Sequence, residues 1–268
     1  MRFLKLMLAY DGTDFDGWQI QPGRRTVQQT LQDACQNIAG HAITTIASGR
    51  TDAGVHALEQ VVSFRTELSL PCDVLLRALN ANLPDDVVAL KLSETREGFH
   101  AIRDARRKTY RYVIQDGQRP DVFGRAYCWW VPQRLDVSAM QQAAGILLGK
   151  HDFSSFESSG SERATSTRTI FASSIVRDQS RGGEGYLSGD RLIYEVTADG
   201  FLYNMVRSIV GTLYDVGRGA FGPEKVREIL HAQDRKAASM TAPPQGLFLV
   251  NVEYDACWTA EPLNIDAG

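Results

Sequence analysis

The order of periodic segments in the first hundred residues is the feature that most restricts the possible folds. Residues 2–10 place Leu and Tyr side chains on alternate positions, as in a strand with one buried face. Thr26 and Gln29 have the spacing of a capping box, and the helix they start is expected to end at Gly40. The other segments of this region follow the same two patterns: strands over 42–47, 61–64 and 87–92, and a helix over 71–81. Strand, helix, strand, strand, helix, strand is the order of a ferredoxin-like split unit, with helices on one face of an antiparallel sheet.

The second half of the chain has a similar plan. Its predicted elements are a helix capped by Asp136 and stopped by Gly149, strands over 169–176 and 192–198, a long helix from Gly200 to Gly217, a short helix from Pro223 and a last strand over 247–254. Residues 157–168 are predicted to form a polar loop and residues 178–190 a Gly-rich hairpin tip. The sequence therefore predicts an α+β protein with an N-terminal half over 1–105, a C-terminal half over 106–255 and a tail over 256–268.

Composition is that of an ordinary globular protein. The chain has 268 residues, of which 43% are hydrophobic and 23% charged, so it can bury a substantial core. No apolar run approaches the roughly 20 residues that span a membrane, and the first residues do not have the pattern of a signal peptide. The four cysteines, Cys35, Cys72, Cys128 and Cys257, lack the spacing of a metal or redox motif, which favours reduced thiols and a cytoplasmic location.

Residues 49–57, with the sequence GRTDAGVHA, combine three chemically active side chains in a short loop between predicted strands. They are Arg50, Asp52 and His56. A loop held by two strands is a common place for catalytic residues. An arginine and an aspartate two positions apart on a turn are also typical of an exposed ion pair worth less than about 1 kcal/mol. The pattern makes Asp52 a candidate reactive group without deciding between these interpretations.

Several known site patterns are excluded by single positions. A phosphatase that uses an aspartate as nucleophile would need another Asp two residues before Asp11, where Ala9 stands. A calcium loop starting at Asp11 would need Gly and Glu where Asp16 and Pro22 stand. The adjacent His and Asp at 151–152 have no accompanying set of His and Asp ligands for a metal hydrolase. No metal site is therefore predicted.

A basic stripe precedes the predicted strand of the second half. It consists of Arg103, Arg106, Arg107, Lys108 and Arg111. The stripe could be a solvated face or a surface that binds phosphates, and the net charge of −3 does not decide between them. Alternation then puts Tyr110, Tyr112 and Ile114 on one face of a strand. Such tyrosines are either core residues or, next to arginines, platforms on which bases stack.

Arg207 lies within the predicted long helix, whose pattern indicates that it is largely buried. A buried guanidinium is costly unless it is paired. Arg207 therefore needs a carboxylate or phosphate partner, and Asp52 is a candidate for that partner.

Taken together, these motifs run through most of the chain. They are Tyr10-Asp11-Gly12-Thr13, Gly17-Trp18-Gln19, Thr26-Val27-Gln28, GRTDAGVHA at 49–57, Leu79-Asn80, Leu83-Pro84-Asp85-Asp86, Phe99-His100-Ala101, Tyr110-Arg111-Tyr112, Asp152-Phe153, Gly200-Phe201-Leu202, Asn204-Met205-Val206-Arg207, Pro244 and Gly246-Leu247. In this combination the sequence resembles the tRNA pseudouridine synthase A family. One position departs from the family pattern: Ile102 stands where an arginine usually follows Phe-His-Ala, and the neighbouring Arg103 could replace it.

The resemblance implies a fold and an activity. The fold is the pseudouridine synthase fold, with two ferredoxin-like α/β halves, joined antiparallel sheets and a basic cleft between the halves. The activity is the isomerisation of uridine to pseudouridine at tRNA positions 38 to 40, in the anticodon stem-loop. The resemblance also implies a homodimer that works without a metal or an organic cofactor.

The resemblance also implies roles for individual residues. Asp52 matches the catalytic aspartate, which acts as nucleophile or as base at the sugar. Tyr110 matches a tyrosine that stacks on the uracil and is a candidate for proton removal from C5, and Arg207 matches the arginine expected to keep Asp52 ionised. The residues expected to bind the substrate are Arg50, His56, Arg103, Arg106, Arg107, Tyr110, Arg111 and Leu247.

Two other functions compete with this one. The first is a non-catalytic RNA-binding protein or RNA chaperone on the same fold, although binding alone does not need the combination of Asp52, Tyr110 and Arg207. The second is a hydrolase of phosphate esters that uses an aspartate. Dependence of activity on added magnesium would favour the hydrolase.

Overall fold

The computed structural model describes residues 1–160, 165–178 and 191–258. The chain divides into two compact units. The first unit contains Met1–Ala53, Ala57–Arg106 and the C-terminal residues from Asn251, and the second contains Gly54–His56 and Arg107–Val250. The chain therefore changes unit within the GRTDAGVHA stretch.

The first unit has the predicted order of elements. They are β1 (Arg2–Tyr10), α1 (Val27–Ala39), β2 (Thr45–Ala47), β3 (His56–Thr66), α2 (Cys72–Asn82) and β4 (Val87–Thr95). Strand β1 lies between β4 and β3 and is antiparallel to both, and β2 is antiparallel to β3. The predicted split unit of strands and helices is confirmed.

Local sequence explains the boundaries of these elements. The side chain of Thr26 accepts a hydrogen bond from the backbone N–H of Gln29 and caps α1. Gly40 ends the helix in the left-handed conformation, with φ of 73°, which favours glycine. Asn80 in α2 connects that helix to β4 through both ends of its amide, which bond the N–H and the carbonyl of Ala89.

The C-terminal residues complete the core of the first unit. A buried cluster of Val61, Phe99 and Ala101 packs against Tyr254 and Trp258. The hydroxyl of Tyr254 donates to the carbonyl of Ala101 at 2.7 Å. Residues Ala256–Trp258 form a short 3₁₀ helix. The predicted tail thus begins as a helical turn, and its residues from 259 lie outside the described part of the chain.

The second unit is also a mixed α/β structure. Its elements are β5 (Ala105–Asp116), β6 (Trp129–Val131), α3 (Val137–Ile146), β7 (Gly149–Asp152), β8 (Thr167–Asp178), β9 (Arg191–Ala198), α4 (Met205–Gly217), α5 (Lys225–Ala232) and β10 (Leu247–Tyr254). Strands β5, β9, β8 and β7 are antiparallel neighbours in that order, and β6 is parallel to β5. Three strands, β3, β5 and β10, contribute residues to both units.

The predicted strands of this unit are confirmed where the chain is described. The predicted hairpin tip lies almost entirely outside the described residues, since 179–190 are not described, and so do residues 161–164 of the predicted polar loop. Sequence patterns did not identify β6 and β7, because strands of three and four residues are too short to show an alternation.

The start of the long helix differs from the prediction. Helix α4 begins at Met205 and not at Gly200, because Asn204 has φ of 59° and ψ of 7°, the left-handed conformation, which a right-handed helix cannot contain. Arg207 therefore lies in the first turn of α4 and not in its middle. The short helix predicted from Pro223 begins at Lys225, after one turn.

In 1–160, 165–178 and 191–258, no helix is both long and apolar enough to cross a membrane. Over the same ranges, no three or more His, Cys, Asp or Glu side chains come together as ligands for a metal ion. The four cysteines are free thiols.

Candidate active site

The loop that carries Asp52 connects β2 to β3, two strands that pair directly. Ala47 at the end of β2 lies opposite Val62, and the N–H of Ser48 donates to the carbonyl of Val61 at 2.7 Å. Both ends of the loop are thus attached to one strand pair. Arg50 is exposed and Asp52 is half-buried.

Four buried polar side chains form hydrogen bonds with one another at this loop. Ser48 and Thr51 belong to the loop, and Tyr10 and Gln60 lie on the strands beneath it. The Nε2 of Gln60 donates to the carbonyl of Gly49 at 2.9 Å and to the hydroxyl of Tyr10 at 3.4 Å. The hydroxyl of Tyr10 lies 2.8 Å from that of Thr51, and the hydroxyl of Ser48 donates to Oε1 of Gln60 at 2.7 Å. Burial raises the pKa of Tyr10 to about 12, so its hydroxyl keeps its proton at neutral pH.

A second loop of the first unit supports the backbone at Thr51. The N–H of Trp18 donates to the carbonyl of Thr51 at 2.9 Å. Gly17, with φ of 91°, passes so close that a Cβ there would lie 2.8 Å from the same carbonyl oxygen. Glycine at position 17, in the Gly17-Trp18-Gln19 motif, is therefore required by its approach to the Asp52 loop.

Residues Gly54–His56 of the GRTDAGVHA stretch belong to the second unit, and Val55 and His56 are buried. Gly54 has φ of 75°, and a Cβ there would lie 3.1 Å from Cγ of Pro244. His56 is only 2% exposed: its Nε2 lies 3.0 Å from the carbonyl oxygen of Ala126, and its ring stacks on Phe248 at 4.7 Å. These contacts give His56 a place in the core, and its expected role in substrate binding stays a prediction.

Tyr110 lies on β5, on the same face as Tyr112 and Ile114, as the alternation predicted. All three are buried, with Tyr110 at 8% exposure and the other two at 0%. The ring of Tyr110 meets Phe201 edge-on, with a centroid distance of 5.0 Å. Tyr112 is a core residue whose hydroxyl donates to the carbonyl of Pro243 at 2.7 Å, and burial raises its pKa.

Arg207 is half-buried and is oriented by groups on both sides of its guanidinium. Its Nη1 donates to Oδ1 of Asn204 at 2.8 Å, and its Nε donates to the carbonyl of Ala242 at 2.7 Å. The N–H of Ala242 returns a bond of 3.0 Å to the carbonyl of Arg207. The sequence predicted a carboxylate or phosphate partner for Arg207, and these two acceptors are neutral oxygens. An ion pair with Asp52 stays a prediction.

Most of the basic stripe is engaged with acidic side chains. Arg103 pairs with Asp104, Arg106 with Asp255 at 2.6 Å and Arg111 with Glu195 at 2.7 Å. The guanidinium of Arg107 lies over the ring of Phe171, 4.6 Å from its centroid. These pairs lower the net positive charge of the stripe, and its role in binding phosphates stays a prediction.

The two remaining features of the predicted site are position 102, near the end of the first half, and Leu247, near the end of the second half. Ile102, which departs from the family pattern, is 55% exposed, while Arg103 next to it donates to the carbonyl of Gly98. Leu247 at the start of β10 is buried at 6% exposure. The preceding Gly246 allows β10 to lie against β5, because a Cβ there would meet the ring of Tyr112 at 2.7 Å.

Asp52 thus belongs to the first unit, and Tyr110 and Arg207 to the second. Their approach to one another stays a prediction. Sequence analysis missed the supporting residues, above all Gln60 and Asn204. Gln60 could have been noticed as a polar residue inside an apolar strand, and Asn204 as an asparagine before a helix. Neither sequence pattern predicts which group the side chain bonds.

Comparison with known proteins identifies the class. The family model described as tRNA pseudouridine synthase matches residues 6–102 and 143–255. This covers both units, including Asp52 and Arg207. The chain belongs to the tRNA pseudouridine synthase family, as the motifs predicted.

Individual relatives give the same result over nearly the whole chain. The chain is 47% identical over 248 residues to the tRNA pseudouridine synthase A of Halalkalibacterium halodurans, covering 92% of this chain and 90% of that protein. It is 41% identical over 254 residues to the synthase of the same name from Thermoanaerobacter sp. (strain X514), covering 95% and 100%. Among solved structures, a chain of an H/ACA RNP bound to a substrate RNA is similar at 11% identity. The match covers 79% of this chain and 53% of the RNP chain. Its TM-score of 0.33 is too low to support a conclusion.

Proposed function

We propose that this protein converts uridine to pseudouridine in tRNA, at positions 38 to 40 of the anticodon stem-loop. The observation that carries the proposal is Asp52 itself. This half-buried carboxylate is placed by a loop with at least three backbone or side-chain attachments, in a chain of the synthase family. A loop that served only to bind phosphate would be expected to present donors rather than a carboxylate.

The chemistry requires the target base to leave the helical stack. The C1′–N1 bond breaks, the uracil rotates, and C5 forms a bond with C1′ and loses its proton. N1 gains one proton, so that a proton lost from C5 to solvent is replaced by one from solvent at N1. All atoms of the nucleotide are retained, and there is no net oxidation or reduction. Flipping the nucleotide costs a few kcal/mol, which contacts to the RNA must offset.

Each proposed catalytic residue has a distinct task in this sequence of steps. Asp52 acts at the sugar, either by attacking C1′ or by removing a proton, and both roles require an ionised carboxylate. Arg207 opposes the tendency of a closed site to protonate that carboxylate. Tyr110 stacks on the uracil, and its hydroxyl assists the loss of the C5 proton.

Binding of tRNA is assigned to the exposed arginines. Arg50 on the Asp52 loop and the stripe from Arg103 to Arg111 would contact phosphates. On binding, an arginine such as Arg106 would replace its carboxylate partner, Asp255, by a phosphate of the tRNA. His56 and Leu247 are buried, so their contribution would be to shape the pocket rather than to contact the RNA backbone.

The direct test is to map pseudouridine in tRNA after incubation with the purified protein. The substrate is an unmodified transcript with uridine at positions 38, 39 and 40, and the control transcript has cytidine at those positions. Pseudouridine at one or more of the three positions is the expected result. Binding of the transcript without any new pseudouridine would instead favour the RNA-binding or chaperone function, and magnesium-dependent release of phosphate would favour the hydrolase.

We also propose that the protein is a cytoplasmic homodimer. The resemblance to the synthase family supports the dimer, and the free cysteines suit a reducing environment. Light scattering after gel filtration is expected to give twice the chain mass of 29.7 kDa. A mass of one chain at micromolar concentration would contradict the dimer.

A further inference from the structure

The three hydrogen bonds of the Gln60 side chain, beneath the Asp52 loop, have a fixed direction. The carbonyl of Gly49 can only accept, so the amide nitrogen of Gln60 must face it, and the amide oxygen must face the hydroxyl of Ser48. The other N–H of Gln60 then points to the hydroxyl of Tyr10. The same hydroxyl pairs with that of Thr51 at 2.8 Å, a bond in which either oxygen can be the donor.

This chain of bonds is buried throughout. Gln60 is 0% exposed, Ser48 1%, Tyr10 4% and Thr51 6%. Buried polar groups are costly when any partner is missing, and apolar residues of similar size could fill the same space. A stable core alone therefore does not require this arrangement.

The bonds end on Gly49 and Thr51, the residues on either side of Arg50. Gln60 holds the carbonyl of Gly49, and Tyr10 holds the side chain of Thr51, immediately before Asp52. The carbonyl of Thr51 is held separately by the N–H of Trp18. With the backbone fixed on this side, the direction of the Asp52 side chain is restricted.

We propose that Tyr10 and Gln60 are positioning residues, which hold the loop so that the Asp52 carboxylate is aligned with the sugar of the target uridine. This inference rests on the proposed function, because it assumes that Asp52 reacts. A catalytic group displaced by about 1 Å can lose ~100-fold in rate, so a loosened loop would lower the chemical step far more than it lowers binding.

The test uses Tyr10→Phe, which removes one hydroxyl and keeps the ring. Its matched control is Tyr194→Phe, since Tyr194 is 0% exposed and its hydroxyl lies 3.0 Å from that of Ser173, away from the Asp52 loop in sequence and in the other unit. Single-turnover pseudouridine formation, tRNA affinity and melting temperature are measured for both. The expected result is a rate ~10- to 100-fold lower for Tyr10→Phe with affinity within about twofold, and an unchanged rate for the control.

A double-mutant cycle separates positioning from general loosening. Thr51→Val should slow the reaction as Tyr10→Phe does, Thr51→Ser should retain the rate because it keeps the hydroxyl, and the double variant should be no slower than the slower single variant. Gln60→Met, of similar volume, should also slow the reaction. Rate losses that multiply in the double variant, or a Tyr10→Phe rate equal to that of Tyr194→Phe, would overturn the inference.

A measurement without tRNA distinguishes failure of this inference from failure of the proposed function. Hydrogen exchange of the backbone N–H groups in residues 50–53 is expected to be faster in Tyr10→Phe and unchanged in Tyr194→Phe. Unchanged exchange in Tyr10→Phe would overturn the positioning role whether or not the protein makes pseudouridine. Absence of pseudouridine with the unmodified protein would instead overturn the proposed function.

Discussion

The side-chain oxygen of Asn204 accepts a hydrogen bond of 2.8 Å from Nη1 of Arg207, three residues further along the chain. Asn204 can do this because its left-handed backbone, with φ of 59°, turns its side chain toward the first turn of α4. Asparagine is among the few residues other than glycine that adopt this conformation readily. The same residue therefore ends the preceding loop and orients an arginine of the proposed site.

Replacement of Asn204 by glycine is expected to lower kcat with little effect on stability. Glycine accepts the left-handed conformation, so the backbone is retained while Arg207 loses one of its acceptors and keeps the bond to Ala242. A decrease in kcat of about tenfold, with tRNA affinity nearly unchanged, is the predicted outcome in steady-state assays.

The control is Gln233→Gly. Gln233 is the other non-glycine residue with positive φ among the described residues, at 49°, so this variant makes the same backbone change at the end of α5. It should leave kcat unchanged. Equal activity of the two variants would show that Asn204 does not orient Arg207 for the reaction.

The hydroxyl of Tyr110 is expected to take part in the chemical step but not in binding. Tyr110→Phe keeps the ring, and with it the edge contact to Phe201 and the surface for stacking. Binding of tRNA should stay within about twofold, whereas turnover should fall by about 100-fold, as is usual when a proton-transfer group is lost. If turnover matches that of the unmodified protein, the hydroxyl has no role in proton transfer.

Binding of tRNA should depend strongly on salt through the basic stripe. The guanidinium of Arg107 lies over the ring of Phe171. Arg107→Ala removes one positive charge from the stripe, so the slope of log affinity against log salt concentration should become shallower by about 0.7 to 0.9. Arg227→Ala is the control, since Arg227 pairs with Glu224 at the start of α5. Affinity that does not change between low and high salt would contradict any phosphate-binding role of the stripe.

The buried carboxylate of Asp116 is expected to stabilise the second unit above about pH 4. Burial alone would raise its pKa, but hydrogen bonds from Arg177 and from the N–H of Leu135, together with the charges of Arg177 and Arg134, outweigh burial and lower it. A lowered pKa means that this stabilisation is present above the pKa of the unfolded chain and is lost as the pH falls through the folded value.

Asp116→Asn should therefore reduce the free energy of unfolding by about 3 kcal/mol at pH 7, since it removes the buried charge that accepts two hydrogen bonds from Arg177. The difference should shrink as urea unfolding is repeated toward pH 3. Asp73→Asn, which breaks an exposed pair with Arg77, should cost less than about 1 kcal/mol at either pH. A deficit for Asp116→Asn that stays constant with pH would contradict the assigned role of its charge.

The sequence was sufficient to predict the elements that depend on local pattern. Alternation identified β1 with its buried Leu4, Leu6 and Leu8, and capping residues identified α1 within one residue at each end. The first turn of α4 was placed five residues too early, because apolar spacing continues through Asn204 and does not reveal its backbone angle. Dihedral angles that depend on tertiary contacts have no signature in residue periodicity.

The site was predictable in its reactive residues and not in its supports. Asp52 stood out because a carboxylate lies in a loop between glycines. Gln60 did not, because its function depends on Tyr10 and Gly49, which reach it from separate segments of the chain. Contacts of this kind follow from strand register, and register is set by the whole sheet rather than by the local sequence.

The central claim, that Asp52 performs the chemistry, is tested most directly by tritium release from tRNA labelled at C5 of uridine. Asp52→Asn keeps the size of the side chain and removes its charge, and the exposed Asp33→Asn on α1 is the control. The prediction is that Asp52→Asn binds tRNA within about threefold of the unmodified protein but releases no tritium above background, while Asp33→Asn releases it at the full rate. Tritium release by Asp52→Asn at the rate of the unmodified protein would contradict the claim.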